Sequence, residues 1–220
     1  MWPAPDVVLI SLARRESDDA CSSVQPPDPR RKDATMTATR SKTAFVLLFR
    51  GVGGATQLPT APLREALAEA GFENVATYIN SGNAVLRSHL SRAKVVAAVA
   101  GICRDRFGFT KAIFAPTLEE WSALIDNNPF PRAVATPTCL HAAVLAGKPA
   151  AEAVSRLQGF AAAGEGIEVV GNVAYLHTTG GFGRSKLAAK FDTGIGVANS
   201  ARNWNTVLKL MELVRKAAEA

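Results

Sequence analysis

Cysteine, histidine and long apolar runs are all scarce in this 220-residue chain. The three cysteines, Cys21, Cys103 and Cys139, are odd in number, and no pair has metal-ligand spacing. Neither a disulfide framework nor a zinc site is therefore expected. Cys103 falls on an apolar helical stripe and Cys139 opens a strand-like run, so both are expected to be small buried hydrophobes. The three histidines, His89, His141 and His177, are isolated. His141 and His177 sit in strand-like runs, where a buried imidazole with its hydrogen bonds satisfied is the expectation. There is no Gly-x-Ser-x-Gly elbow and no His-Glu-x-x-His, and no metal or cofactor is expected. No apolar run approaches the roughly 20 residues that span a bilayer. Met1-Trp2-Pro3 supplies no basic lead to the apolar stretch Val7 to Leu12, which is too short for a secretory core. A cytoplasmic protein without membrane association is expected.

What is present is a globular composition, 48% hydrophobic and 20% charged, enough to bury a sizeable core. The formal net charge is +6, with an isoelectric point near 9.5. Residues 1–42 carry 7 basic and 6 acidic side chains, and residues 43–182 carry 11 and 10. Residues 183–220 carry 7 and 3. The excess is C-terminal, and clustered positive charge favours an anionic partner.

Residues 1–42 hold Pro26-Pro27, the cluster Arg30-Arg31-Lys32-Asp33 and no apolar periodicity. Such a segment buries too little apolar surface to offset its ordering entropy, so a disordered N-terminal extension is expected. Met36, followed by a polar lead and then a strong strand, is expected to be the natural start. From Thr43 the pattern is regular. Ala44 to Phe49 is a short, wholly apolar run, as in a strand buried on both faces. A helix follows, with Thr60 as its cap, Pro62 in its first turn, the stripe Leu63 and Leu67, and Gly71 as its stop. Val75 to Ile79 and Ala84 to Arg87 form two strands around Asn80-Ser81-Gly82-Asn83. Ser91 caps a second helix with the face Val95, Val99, Ile102 and Cys103, and Lys111 to Ala115 is a further strand. The order βαββαβ over 43–116 is the ferredoxin-like, split βαβ arrangement.

Residues 117–137 read as a connecting helix and loop, opened by the capping box Thr117-Leu118-Glu119-Glu120. Residues 138–220 repeat the scheme: strand Leu140 to Leu145, helix Ala150 to Phe160, and strands Ile167 to Val170 and Val173 to His177 around the hairpin turn Gly171-Asn172. A Gly-rich loop, a short basic segment from Ser185 and a final helix from about Asn203 complete the chain. The expected fold class is α+β, with two ferredoxin-like halves. The second is degenerate, βαββα with an extra C-terminal helix.

Four polar loops interrupt this scaffold and supply the candidate ligand-binding residues. Arg50, Gly51, Gly53 and Gly54 follow the first strand, where glycines let backbone N–H groups approach an anion. The segment lacks the Lys-Ser/Thr of a P-loop and is not GxGxxG. Asn80, Ser81 and Asn83 present two amides and a hydroxyl at a strand end, or form a hairpin turn only. Arg184, Ser185 and Lys186 follow Gly180-Gly181-Phe182-Gly183 and bring N–H donors, a hydroxyl and two cations to a helix start. Arg202, Asn203 and Asn205 surround Trp204, more polar groups than a helix cap needs.

The same segments carry a family likeness. Leu47-Leu48-Phe49-Arg50-Gly51-Val52-Gly53-Gly54, Leu58-Pro59, Leu63 to Leu67, Gly71-Phe72 and Val75 to Asn83 resemble the bacterial family catalogued as domain of unknown function 1697. So do Asn128-Pro129-Phe130, Gly183 to Leu187 and Arg202 to Val207. The likeness covers about residues 43–215. This chain lacks two residues, typically Ile-Asn, that the family carries between Arg-Gly and Val-Gly-Gly, so its first loop is shorter. The resemblance implies two ferredoxin-like halves and brings no activity, substrate or cofactor.

Three functions are open to such a chain. The first is a binding protein for a small anionic or phosphorylated ligand held by these loops. The second is RNA or DNA binding through a basic C-terminal face, although Phe45, Phe49 and Tyr78 do not form a base-stacking motif. The third is a metal-independent enzyme on an anionic substrate, using Ser81, Ser185 or Tyr78, with no neighbouring base visible to activate them. Deleting residues 1–35 is expected to leave the melting temperature nearly unchanged in a thermal denaturation series, and a large drop would show that the extension packs on the fold.

Overall fold

The computed structural model of the chain describes residues 41–53 and 57–219. The expected N-terminal disorder (save its last two residues), Met36, Cys21 and Gly54 lie outside the described residues. The first sheet is built from β1 (Thr43–Phe49), β2 (Glu73–Thr77), β3 (Asn83–Ser88) and β4 (Ile113–Phe114), with α1 (Thr60–Glu69) between β1 and β2 and α2 (Arg92–Phe107) between β3 and β4. Its strand order is β2-β3-β1-β4, and every neighbouring pair is antiparallel. After α3 (Leu118–Asp126) the second sheet follows. It contains β5 (Leu140–Leu145), β6 (Gly166–Val170), β7 (Val173–His177) and β8 (Asn199–Asn203), with α4 (Ala151–Gln158) and α5 (Lys186–Gly194) as its crossovers. Its order is β6-β7-β5-β8, again antiparallel throughout. The chain closes with α6 (Trp204–Glu219). The architecture is α+β.

Both sheets are covered on both faces, which explains why their central strands read as unbroken apolar runs. Successive side chains of β1 alternate between two clusters. Phe45, Leu47 and Phe49 face α1 and α2 with Val95, Val99 and Cys103. Ala44, Val46 and Leu48 face the interior shared with the other sheet. In β5, Ala143 and Leu145 pack with Leu187 and Phe191 of α5. Ala142 and Val144 turn to the shared interior. That inner layer also holds Trp121 and Leu124 of α3, and Trp204, Val207, Leu210, Met211 and Val214 of α6. Two buried polar tips tie it together. Trp121 donates its indole N–H to the Val207 carbonyl at 3.0 Å, and Tyr175 donates its hydroxyl to the Leu124 carbonyl at 2.6 Å.

Local signals behave as their chemistry dictates, with exceptions. Thr117 and Glu120 form a complete reciprocal capping box. The β6–β7 hairpin turns at Gly171, φ +59°. Thr60 does not cap α1: it is the first helical residue, behind Pro59. Ser91 occupies the N-cap of α2 without a side-chain bond. Cys103 is fully buried, and burial pushes its thiol up to about 12. Cys139 is only half-buried.

The second set of elements is more complete than its sequence announced. Residues read as the lead into the last helix form β8, which pairs with β5 from His141↔Asn203 to Leu145↔Asn199. Asn199-Ser200-Ala201-Arg202-Asn203 has no alternating apolar pattern, so period two gave no signal. The basic segment from Ser185 is α5, the helix whose start the sequence marked. Replacing Tyr175 by Phe leaves the Leu124 carbonyl buried without its partner. The change is expected to cost about 1–3 kcal/mol in urea denaturation, and a loss near zero would mean the bond contributes nothing net.

Candidate functional site

The site is built around one side chain on the edge strand β8. Arg202 lies opposite Ala142 of β5, whose side chain belongs to the inner cluster, so pairing points the guanidinium toward the first sheet. There its donors are used one by one. Nε donates to Asn83 Oδ1. Nη1 donates to Ser200 Oγ at 3.1 Å and to the Ala201 carbonyl at 2.7 Å. Nη2 meets the carbonyls of Gly82 at 2.8 Å, Phe49 at 3.2 Å and Ser81 at 3.3 Å. Among the described residues no carboxylate pairs with it. Burial lowers its pKa to about 10, and six neutral oxygens, rather than a counter-charge, hold the cation.

The acceptors are presented by the turn between β2 and β3. Gly82 has φ +73°, and a Cβ there would lie 2.6 Å from Val52 Cγ2 and 2.9 Å from Phe49 Cβ. Its carbonyl accepts from Phe49 N–H at 3.0 Å as well as from Arg202. Asn83, buried at the same turn, donates its amide to Ser81 Oγ at 2.9 Å and to the Tyr78 carbonyl at 3.2 Å. Ile79 sits at φ +45°, left-handed backbone that a β-branched residue rarely adopts, and is 48% exposed.

Where these elements meet, a cleft of about 420 Å³ opens. All four expected loops reach it. Gly51 and Val52 come from the first, Ile79 and Ser81 from the second, Phe182 from the third, and Arg202 with Asn203 from the fourth. Phe49, Ala201, Thr206 and His141 complete its walls. Asn203 is held by its role as a cap, its Oδ1 accepting from Thr206 N–H at 3.0 Å. Lys111 braces the rim, donating from Nζ to the Gly51 carbonyl at 3.0 Å. The imidazole of His141 lies against the Phe182 ring, with centroids 4.0 Å apart and planes inclined by 32°. Its Nδ1 is buried without a hydrogen-bond partner, and burial lowers its pKa to about 4.

The charged candidates are distributed differently from the loops that carry them. Arg50 turns to α5 and donates from Nη2 to both carboxylate oxygens of Asp192, at 2.8 and 3.0 Å. That contact, with a further bond from Asn199, holds the Asp192 carboxyl below its ordinary value. Arg184, Ser185 and Lys186 line a separate hollow beside Phe160. Ser185 is the cap of α5, accepting from Ala188 N–H and donating to Glu165 Oε2 at 3.0 Å. A carboxylate of the chain thus already stands at that helix start. Asn83 is buried behind the cleft wall, while Asn80, Gly53 and Asn205 are exposed and do not line the cleft.

Comparison with known proteins matches residues 42–175 to the family described as "Protein of unknown function (DUF1697)". The chain belongs to the DUF1697 family. Its fold is similar to that of the conserved bacterial protein SP0830 from Streptococcus pneumoniae, with a TM-score of 0.62 and 21% identity over 79% of this chain and 99% of that one. No curated protein matches the sequence. This DUF1697 chain therefore carries a shared fold with no activity attached to it. No helix among its described residues is long and apolar enough to cross a membrane.

Sequence reasoning missed His141, Phe182, Ile79, Val52, Phe49 and Thr206 as cleft residues. Phe49, Ile79 and His141 sit in strand-like runs, whereas Val52, Phe182 and Thr206 lie in the candidate loops but are outranked there by more polar or charged neighbours. Only the pairing of His141 with Asn203 across β5 and β8 reveals which end of the sheet it reaches. Arg202→Lys replaces a five-donor fork by three donors and strands buried carbonyls, with an expected loss of about 2–4 kcal/mol. Gly82→Ala, forced into left-handed backbone and into Phe49, is expected to lose at least about 2 kcal/mol. Urea denaturation measures both, and wild-type stability in either variant would refute the account of the Arg202 anchorage.

Proposed function

We propose that the cleft is the binding site of a small anionic or phosphorylated ligand, in a cytoplasmic protein. The observation that carries this reading is the largely desolvated guanidinium of Arg202, which has no carboxylate partner among the described residues and lies where four loops, distant in sequence, meet. Buried charges are ordinarily paired, and a fixed cation surrounded by neutral dipoles projects positive potential into a neighbouring cleft. The volume suits a ligand of nucleotide or sugar-phosphate size. The walls divide the labour: Gly51, Ser81 and Asn203 bring polar groups, whereas Ile79, Phe182 and His141 offer ring-sized apolar surface. Arg50 stands apart from the cleft, paired with Asp192, and Arg184 and Lys186 line the separate hollow.

Nucleic acid is less well supported. The central strands are covered on both faces, and Phe45 and Phe49 are buried in the core, so neither is free to stack on a base. The C-terminal charge is also partly spent, since Lys209 and Lys216 both pair with Glu212.

The test is a thermal-shift titration with inorganic phosphate, nucleoside monophosphates and sugar phosphates, because a ligand that binds only the folded state raises the melting point by mass action. A concentration-dependent rise is expected for at least one organic phosphate. It should disappear in Ala201→Trp, whose ring fills the cleft. No rise with any anion at millimolar concentration would refute the proposal.

A further inference from the structure

Three features of the cleft have no explanation in the fold itself. The first is the orphaned Nδ1 of His141. Neutral imidazole has one N–H and one lone pair, and leaving a buried polar atom without a partner is unfavourable. The second is the position of Phe182. Its ring packs in part against the core beneath α5, but its other side lies on the imidazole face and, only half-buried, reaches the cleft, an exposure that core packing does not require. The third is the loop that carries it. Gly181 needs its left-handed backbone, φ +88°, but Gly180 and Gly183 have no positive φ, and a Cβ at either would meet nothing within 4 Å. Nothing in this conformation requires glycine at those two positions. Alanine there would restrict the unfolded chain and stabilise this state.

We infer that Phe182 is a hinged cover that occupies, in the free protein, the place of a ligand's planar ring, and that its withdrawal exposes the His141 imidazole, whose face then stacks on that ring while water reaches its Nδ1. The inference rests on the proposed anion-binding cleft and narrows its ligand to a class: a planar ring that carries or adjoins an anionic group. The ring replaces Phe182 against the imidazole, and the anion lies toward the polar wall near Arg202. Gly180 and Gly183 give the loop its second position. The covered state lowers apparent affinity by its own population, so a variant without the cover binds more tightly.

Phenyl phosphate carries both features, and inorganic phosphate carries one. In Phe182→Ala, phenyl phosphate is expected to bind roughly three- to tenfold more tightly than to wild type, with inorganic phosphate unchanged. The His141 imidazole, followed by NMR, is expected to titrate near 4 in wild type. In Phe182→Ala its midpoint should move upward by at least about one unit as water reaches the ring. The double variant Gly180→Ala, Gly183→Ala keeps Phe182 and should melt at or above the wild-type temperature while binding phenyl phosphate more weakly or more slowly. If wild type binds the phosphates but Phe182→Ala neither tightens phenyl phosphate nor moves the His141 titration, the cover is refuted and the anion site stands. If no protein binds either phosphate, the anion site fails and takes the ligand class with it.

Discussion

A single guanidinium, crossing from the edge of one sheet to the last turn of the other, sets the geometry of everything around it. Arg202 does not act as an ion-pair partner. Its planar fork gathers carbonyls from the end of β1 and from the β2–β3 turn, an amide oxygen from Asn83, and a hydroxyl and a carbonyl from its own strand. Lysine could not reproduce that pattern, because a point charge on a flexible stem lacks the planar set of donors. The anchorage fixes the spacing between Phe49, Ser81 and Ala201, and with it the mouth of the cleft. Gly82 is its necessary counterpart, since any side chain there would push the turn away from β1.

The two sheets share a strand order, and the inner layer they enclose breaks the symmetry between them. α3 and α6 enter that layer, and α6 has contacts on both sides, burying Trp204, Leu210 and Val214. The cleft lies at one end of this layer, where the apolar packing gives way to polar groups. Its chemistry follows from that location. Backbone carbonyls, a capping amide and a desolvated imidazole converge there because strand ends and helix starts all leave unpaired groups in the same small region.

The fold was largely legible in the sequence because burial on both faces writes itself as apolar runs. Ala44 to Phe49 and Leu140 to Leu145 could hardly be anything but central strands, and Gly171-Asn172 marked its hairpin. β8 was hidden because its inward residues are Ser200 and Arg202. A strand that buries polar groups by hydrogen bonding carries no hydrophobic period. The loops that meet at the cleft were identified from glycine and asparagine content, yet their cations end in different places. Composition shows that Arg50, Arg184 and Arg202 exist. It does not show that Asp192 takes the first, that Glu165 stands beside Ser185 next to the second, or that carbonyls enclose the third. His141 was hidden in a strand-like run, and Phe182, though inside a candidate loop, gave no sign of its partner, because the two are joined only through tertiary contact.

The placement of α6 has a consequence for biosynthesis. The first sheet is complete by Phe114, yet the helix that covers the inner sides of β1, β2 and β3 begins only at Trp204. Asn74, on β2, even donates its amide to the Ala217 carbonyl near the chain terminus. A nascent chain thus holds an apolar sheet surface open while some ninety further residues are added, a time of several seconds at ordinary elongation rates. During that interval the half-covered sheet is exposed to self-association, and the burial that ends the risk comes only with α6.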